Sequence, residues 1–357
     1  MADAPHQRKR LLLACTALIA TLLSTAGLLR WDWIKLFVEF DVGPVLGVAP
    51  EMGLQEVDDR FGIIVTNQTF PGHTLRVVGL PWYIDYTFQT GGIPTGAQKA
   101  MKVRTGATAR SSGVAAAARA RPGSYWLIGN EPNAPGQDDV SPESYAESLH
   151  DYVALIKGAD PTAKIVAPEV LNFDRTCTGC PGFPAGREWV EGFLRAYREA
   201  YGEFPPIDVW SLHTYDLNWE RLPLGDPLAE LSELRAFRSF LDTLPQASDR
   251  PIWLTEFSVM WGYPGIQWDD STGDPLASPD GALDFDHLQV YLASMTQALK
   301  ANAGALRLER WFLFATHPHT EDWATAPGGI TLVQGTGPHA RLNALGELYR
   351  SLAQGRP

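Results

Sequence analysis

The chain has 357 residues, 45% hydrophobic and 20% charged, enough for one large domain with a real core plus an N-terminal extension. Its formal net charge is −12 and its sequence pI near 5.1. An acidic surface of that kind argues against nucleic acid as a partner, because phosphate binding needs a basic face.

The first predicted element is a targeting segment. Arg8-Lys9-Arg10 precedes Leu11–Leu29, an uncharged run of 19 residues. Leu11–Leu23 followed by Ser24-Thr25-Ala26 reads as a cleavable signal peptide. The whole run is also long enough to span a bilayer as a hydrophobic helix, a signal anchor with its basic flank cytoplasmic. Both readings put the rest of the chain outside the cytoplasm, and an uncleaved anchor would tie it to the membrane. Residues 1–30 are therefore a signal anchor or signal peptide, 31–57 a juxtamembrane linker, and 58–357 the folded domain.

Within that domain, Phe61–Thr66 is short and β-branched and predicts a strand. Thr74–Pro81 predicts another, ending at Trp82-Tyr83, and Ala100–Arg104 a third. Ser111–Arg121 is Ala-rich and predicts a helix stopped by Pro122-Gly123. Tyr125–Asn130 is a strand. Ser141-Pro142 caps a helix that runs to Lys157. The expected order then continues with strand Lys164–Ala167, helix Trp189–Tyr201 closed by Gly202, strand Ile207–Leu212 and helix Leu228–Leu241. Strand Ile252–Thr255, helix Leu283–Asn302, strand Arg310–Phe314 and helix Ala340–Leu352 complete it. Alternation of this kind predicts an α/β fold with a parallel sheet, a (β/α)8 TIM barrel. From Thr74 onward there are seven strands, so either Phe61–Thr66 completes the ring or one βα unit is reduced.

Two of these strands run into glutamates. Trp-Leu-Ile-Gly-Asn130-Glu131-Pro132 follows one strand and Ile-Trp-Leu-Thr-Glu256 ends another. A barrel gathers its strand ends on one rim, so the two can face each other. Two facing carboxylates are the minimal equipment for cleaving a glycosidic bond. Alone, Glu131 before a proline is equally a helix-start acid. Asn130 beside it supplies an amide for a substrate hydroxyl. His213 and Tyr215 share one face of their strand, and the phenol can hold a neighbouring carboxylate ionised. Twelve tryptophans is high for the length; the ring fills cores and also stacks on sugars. Trp82, Trp261, Trp268 and Trp323 fall in predicted strand-end loops that suit sugar platforms.

The cysteines add little chemistry. Cys15 lies in the apolar segment. Cys177-Thr-Gly-Cys180 lacks the second pair that a zinc site needs. In an oxidising compartment it predicts a local disulfide between Cys177 and Cys180.

The motifs around Asn130-Glu131-Pro132, His213-Thr-Tyr215 and Thr255-Glu256-Phe257, with Gly79-Leu-Pro-Trp82-Tyr83, resemble the clan A glycoside hydrolases. More narrowly they resemble the glycosyl hydrolase catalytic-core family, which includes β-1,3-glucanases; the likeness covers roughly residues 61–350. It implies a retaining two-carboxylate mechanism, with Glu131 as acid/base and Glu256 as nucleophile, and Tyr215 and Arg104 beside the latter. Substrate contacts fall to Asn130, His213, Tyr215, Trp82, Tyr83 and Trp261. Asp85 stands near where the clan has an asparagine, and Trp311 comes early in its strand. The expected function is an extracytoplasmic retaining glycosidase acting on a β-glucan-like polysaccharide or oligosaccharide, with no metal or organic cofactor. A non-catalytic membrane-tethered carbohydrate-binding barrel and a transglycosylase using the same site are the alternatives.

Overall fold

The computed structural model describes residues 56–66, 71–106, 111–179, 182–218, 220, 224–259, 285–317 and 330–356, all within the compact unit Met52–Pro357. The predicted targeting segment, Cys180, Trp261, Trp268 and Trp323 lie outside them. Among the described residues no helix is long and apolar enough to cross a membrane.

Among the described residues the strands of the main sheet are β1 (Phe61–Ile64), β2 (Trp82–Ile84), β3 (Gln98–Lys99), β4 (Met101–Val103), β5 (Tyr125–Ile128), β6 (Lys164–Leu171), β7 (Val209–Thr214), β8 (Ile252–Phe257) and β9 (Leu308–Leu313). They form one sheet in the order β3-β2-β1-β9-β8-β7-β6-β5-β4, parallel throughout. Only Ala100 separates β3 from β4, so the two segments are one strand whose halves bond to opposite neighbours: β3 to β2 and β4 to β5. Ala100 N–H donates to Tyr83 O at 3.0 Å across the seam. Read this way the sheet is an eight-stranded barrel, and Phe61–Ile64 is the strand that completes the ring.

Seven α-helices lie among the described residues: α1 (Gly72–Val78), α2 (Val114–Ala120), α3 (Pro142–Ala159), α4 (Gly186–Tyr201), α5 (Pro227–Asp242), α6 (Phe285–Leu306) and α7 (Ala344–Ala353). Their ends follow the capping chemistry in the sequence. Ser141 accepts from Ser144 N–H with Pro142 in the first turn, and Gly202 closes α4 at φ 74°. The Ser141 cap is worth about 1 kcal/mol. The β2–β3 connection, residues 85–97, contains no helix; this is the reduced βα unit.

One predicted element is corrected. Thr74–Pro81 is not a strand. Residues 72–78 form α1, because Thr74, Leu75 and Val78 are buried at helical spacing and Gly79 terminates the turn at φ 68°. The β-branched run looked like a strand, but the burial period is helical. Trp82 and Tyr83 consequently begin a strand rather than follow one, which puts them near the barrel floor instead of its rim.

Two layers of apolar side chains follow from strand alternation. Inside the barrel sit Ile64, Trp82, Ile84, Leu127, Val166, Trp253 and Phe312. Between barrel and helices lies the larger layer, including Tyr83, Trp126, Trp210 and Trp311. At the floor, the Arg310 guanidinium lies 4.1 Å from the Trp82 ring centre and 5.0 Å from that of Trp253. Tyr125 stacks on Trp253 at 4.6 Å.

Candidate active site

The opposite ends of the same strands carry the polar groups. Simple alternation would not aim all of them inward. On β8, Trp253 faces the interior while Leu254 and Phe257 face the helices, so an unbroken pleat would turn Glu256 outward. Register shifts between Leu212 and His213 and between Leu254 and Phe257 re-aim it, as β-bulges do. β6 is broken in the same way between Pro168 and Val170. Glu169, inside that break, has φ 60°. Glu131 at φ 45° and Tyr86 at φ 58° share its left-handed backbone. Non-glycine residues held there cost roughly 1–3 kcal/mol each and collect at functional sites.

The backbone under Glu131 is pinned. Asp138 accepts from Asn130 N–H at 3.0 Å, Thr105 N–H at 2.7 Å and Thr105 Oγ1 at 2.6 Å, and Arg104 Nε also donates to it. Glu131 N–H donates to Glu169 O at 3.0 Å.

The two glutamates converge. One carboxylate oxygen of Glu131, one of Glu256 and a ring nitrogen of His213 all lie within 4.8 Å of one another. His213 Nδ1 is 2.9 Å from Glu131 Oε1 and 3.6 Å from Glu256 Oε2. Glu256 accepts from two phenols, Tyr215 at 2.9 Å and Tyr86 at 2.6 Å. Burial, reinforced by the Glu256 charge, pushes both phenols well above their usual range, so they remain neutral donors. Glu131 is 7% exposed and Glu256 5%, open to a ligand yet largely desolvated.

A second tier holds these groups. Glu169 is fully buried. It sits 3.0 Å from Lys102 Nζ and 3.6 Å from His213 Nε2, the latter longer than a hydrogen bond. Burial would raise its pKa, but the Lys102 and His213 partners hold it below the ordinary carboxylate value. Burial alone would strip His213 of its proton. The Glu256 charge and its contacts with Glu131 and Glu169 reverse that and lift it to about 9. For Glu131, burial dominates and raises the carboxyl above its normal range despite the His213 hydrogen bond. Glu131, His213 and Glu256 are the one cluster among the described residues spaced to hold a metal ion; the proton that three carboxylates keep on His213 competes with that use.

Of the residues predicted from sequence, Glu131, Glu256, His213 and Tyr215 come together. Asn130 is adjacent, but its side chain is engaged within the protein: Oδ1 accepts from Lys102 at 2.6 Å and Nδ2 donates to Gln137 at 2.9 Å. Trp82 belongs to the floor and Tyr83 to the outer layer, so neither sits with the glutamates. Arg104 pairs with Asp138 rather than Glu256. Trp311 packs on Phe61 in the outer layer. Cys177 is disulfide-bonded. Tyr86, Lys102 and Glu169 are the site residues that sequence reading missed. Glu169 carried a signal, since Ala-Pro-Glu169 is a third glutamate at a strand end.

The sequence profile of the glycosyl hydrolase catalytic core matches residues 78–325. The chain belongs to that family. The match spans the strands that present both glutamates. Solved structures share the family fold. One is a GH128 subgroup II endo-β-1,3-glucanase from Pseudomonas viridiflava, 20% identical, with 82% of this chain and 97% of that one covered and a TM-score of 0.54. A subgroup I endo-β-1,3-glucanase from Amycolatopsis mediterranei bound to laminaritriose is 21% identical, covering 82% and 99%, at 0.51. A curdlan-specific exo-β-1,3-glucanase from Blastomyces gilchristii bound to glucose is 20% identical, covering 82% and 99%, at 0.51. No curated protein matches the sequence.

Proposed function

We propose that the chain is a retaining glycoside hydrolase of β-1,3-linked glucan that works outside the cytoplasm. The observation that carries this reading is the approach of Glu131 and Glu256 within 4.8 Å. Retaining enzymes hold their carboxyls about 5–5.5 Å apart, whereas inverting ones leave roughly 6.5–9.5 Å for a water. The division of labour follows from environment. Glu256 accepts two phenol hydrogen bonds, the pattern of a carboxylate, and attacks the anomeric carbon. Glu131, with its carboxyl raised by burial, protonates the leaving oxygen. It then takes a proton from the water that releases the glycosyl-enzyme.

The β-1,3-glucan assignment is supported by the glucanases that share the fold. The extracytoplasmic assignment is supported by the basic-then-apolar stretch Arg8–Leu29 and by the disulfide at Cys177, a bond that persists in oxidising compartments.

The test is Glu256→Ala assayed on soluble β-1,3-glucan. Turnover should vanish, and azide should restore part of it by taking the place of the missing carboxylate; its single displacement on the β-linked anomeric carbon inverts the centre and releases an α-glycosyl azide. A β-azide product would instead give Glu256 the acid/base role, and undiminished turnover would remove Glu256 from the chemistry.

A further inference from the structure

The reduced βα unit has no helix to fix the loop that follows β2, yet that loop delivers Tyr86 to Glu256. A buried lysine occupies the position of the missing support. Lys99 lies on β3 with its side chain 2% exposed. Its ammonium donates to Asp85 Oδ2 at 2.8 Å, Thr87 Oγ1 at 2.7 Å and Gln89 O at 3.0 Å. Asp85 in turn accepts from Thr87 N–H at 3.1 Å and from Thr87 Oγ1 at 2.9 Å. The loop is also stitched to β4, where Lys102 N–H donates to Thr87 O at 3.1 Å.

These bonds grip the residues on both sides of Tyr86 and leave Tyr86 itself free of the lock. Its backbone is left-handed at φ 58°, a conformation that a bulky aromatic keeps only when its surroundings over-determine it. Its hydroxyl reaches Glu256 Oε1 at 2.6 Å. Burying an ammonium is costly unless it is fully paired, and here all three of its donors are spent on this one loop. We infer that Lys99, with Asp85, is a positioning residue that holds Tyr86 in its strained conformation and so fixes the orientation of Glu256. The inference rests on the reading of Glu256 as nucleophile. It gives Asp85, which stands near where the clan has an asparagine, a role in holding the loop.

The test uses Lys99→Met, Asp85→Asn, Tyr86→Phe and the Lys99→Met/Tyr86→Phe double variant of the full chain, each checked for folding by circular dichroism. On soluble β-1,3-glucan, Lys99→Met and Tyr86→Phe should each lower kcat about tenfold with KM within about twofold. The double variant should fall no further than Tyr86→Phe alone, because both changes remove the same hydrogen bond. Asp85→Asn, which keeps the side-chain shape, should show a smaller fall of the same kind. Losses that multiply in the double variant, or a wild-type kcat in Lys99→Met, overturn the inference. A crystal structure of Lys99→Met provides a readout independent of activity. The Tyr86 hydroxyl should leave Glu256, and a bond retained near 2.6 Å overturns the inference even if Lys99→Met folds poorly in solution. Activity surviving Glu256→Ala would instead overturn the nucleophile reading and leave the crystallographic result to judge Lys99.

Discussion

Glu169→Gln removes one negative charge from a site that has almost no solvent to compensate. The carboxylate lies 3.6 Å from His213 Nε2. At an effective dielectric near 20, a unit charge at that distance is worth about 5 kcal/mol, or roughly 3 units in the His213 titration. The amide retains the shape of the side chain and part of its hydrogen bonding. Lys102, 3.0 Å from the lost charge, stays in place as an uncompensated cation and pushes in the same direction. Glu131, Glu256, Tyr86 and Tyr215 continue to face the ring or its partners. Removing an anion from beside an imidazolium lowers its pKa, so His213 should titrate at least 2 units below its value of about 9. The assay is an NMR pH titration of the histidine ring carbons in uniformly labelled protein. The His213 signal among eight histidines is identified by its absence from His213→Gln. A midpoint within half a unit of the wild-type value would refute the argument that the buried carboxylate keeps the proton on the ring.

Three further outcomes follow from the same geometry. His213 has a folded pKa raised from 6.5 to about 9, so its contribution to stability is complete below pH 6.5 and is lost as pH rises through 9. The gap in urea-unfolding free energy between wild type and His213→Gln should shrink by roughly 3 kcal/mol over that window, and a gap independent of pH contradicts this. Tyr215→Phe deletes a phenol donor 2.9 Å from Glu256; hydrogen bonds to charged groups contribute about 1.5–3 kcal/mol, so kcat should fall about 10- to 100-fold with KM little changed. A loss under twofold would assign the orientation of Glu256 to Tyr86 alone. Gly62→Ala would set a Cβ 2.3 Å from a ring carbon of Phe312 inside the barrel, and overpacking of that kind costs about 1–3 kcal/mol. A thermal midpoint equal to the wild type's would show that the ring moves freely.

The alternation of strands and helices and both strand-end glutamates were legible because each follows from local pattern: an apolar run, a turn residue, then a carboxylate. The His213 and Tyr215 pair was legible for the same reason, since residues two apart share a strand face. What failed depended on long-range geometry. Thr74–Val78 has strand-like composition, and only its burial by neighbours makes it helical. That single misreading carried Trp82 and Tyr83 from floor to rim. Lys102 could not be anticipated as a site residue, because a buried lysine makes sense only beside Glu169 on β6 and Asn130 just after β5. Glu169 was hidden by a strand boundary drawn at Ala167, whereas the strand runs on to Leu171. The bulges that turn Glu169 and Glu256 inward leave no mark in composition at all.

The floor of the barrel has a practical consequence. Arg310, Trp82, Tyr125 and Trp253 form a cationic and aromatic plug at the ends of strands whose other ends carry the chemistry. Protein engineers thus have two nearly separate dials. Substitutions in the plug tune how readily the ring of strands comes apart on heating, and those around Glu131 and Glu256 tune turnover. A library confined to the plug is therefore the place to look for hardier variants that keep their native catalytic constants.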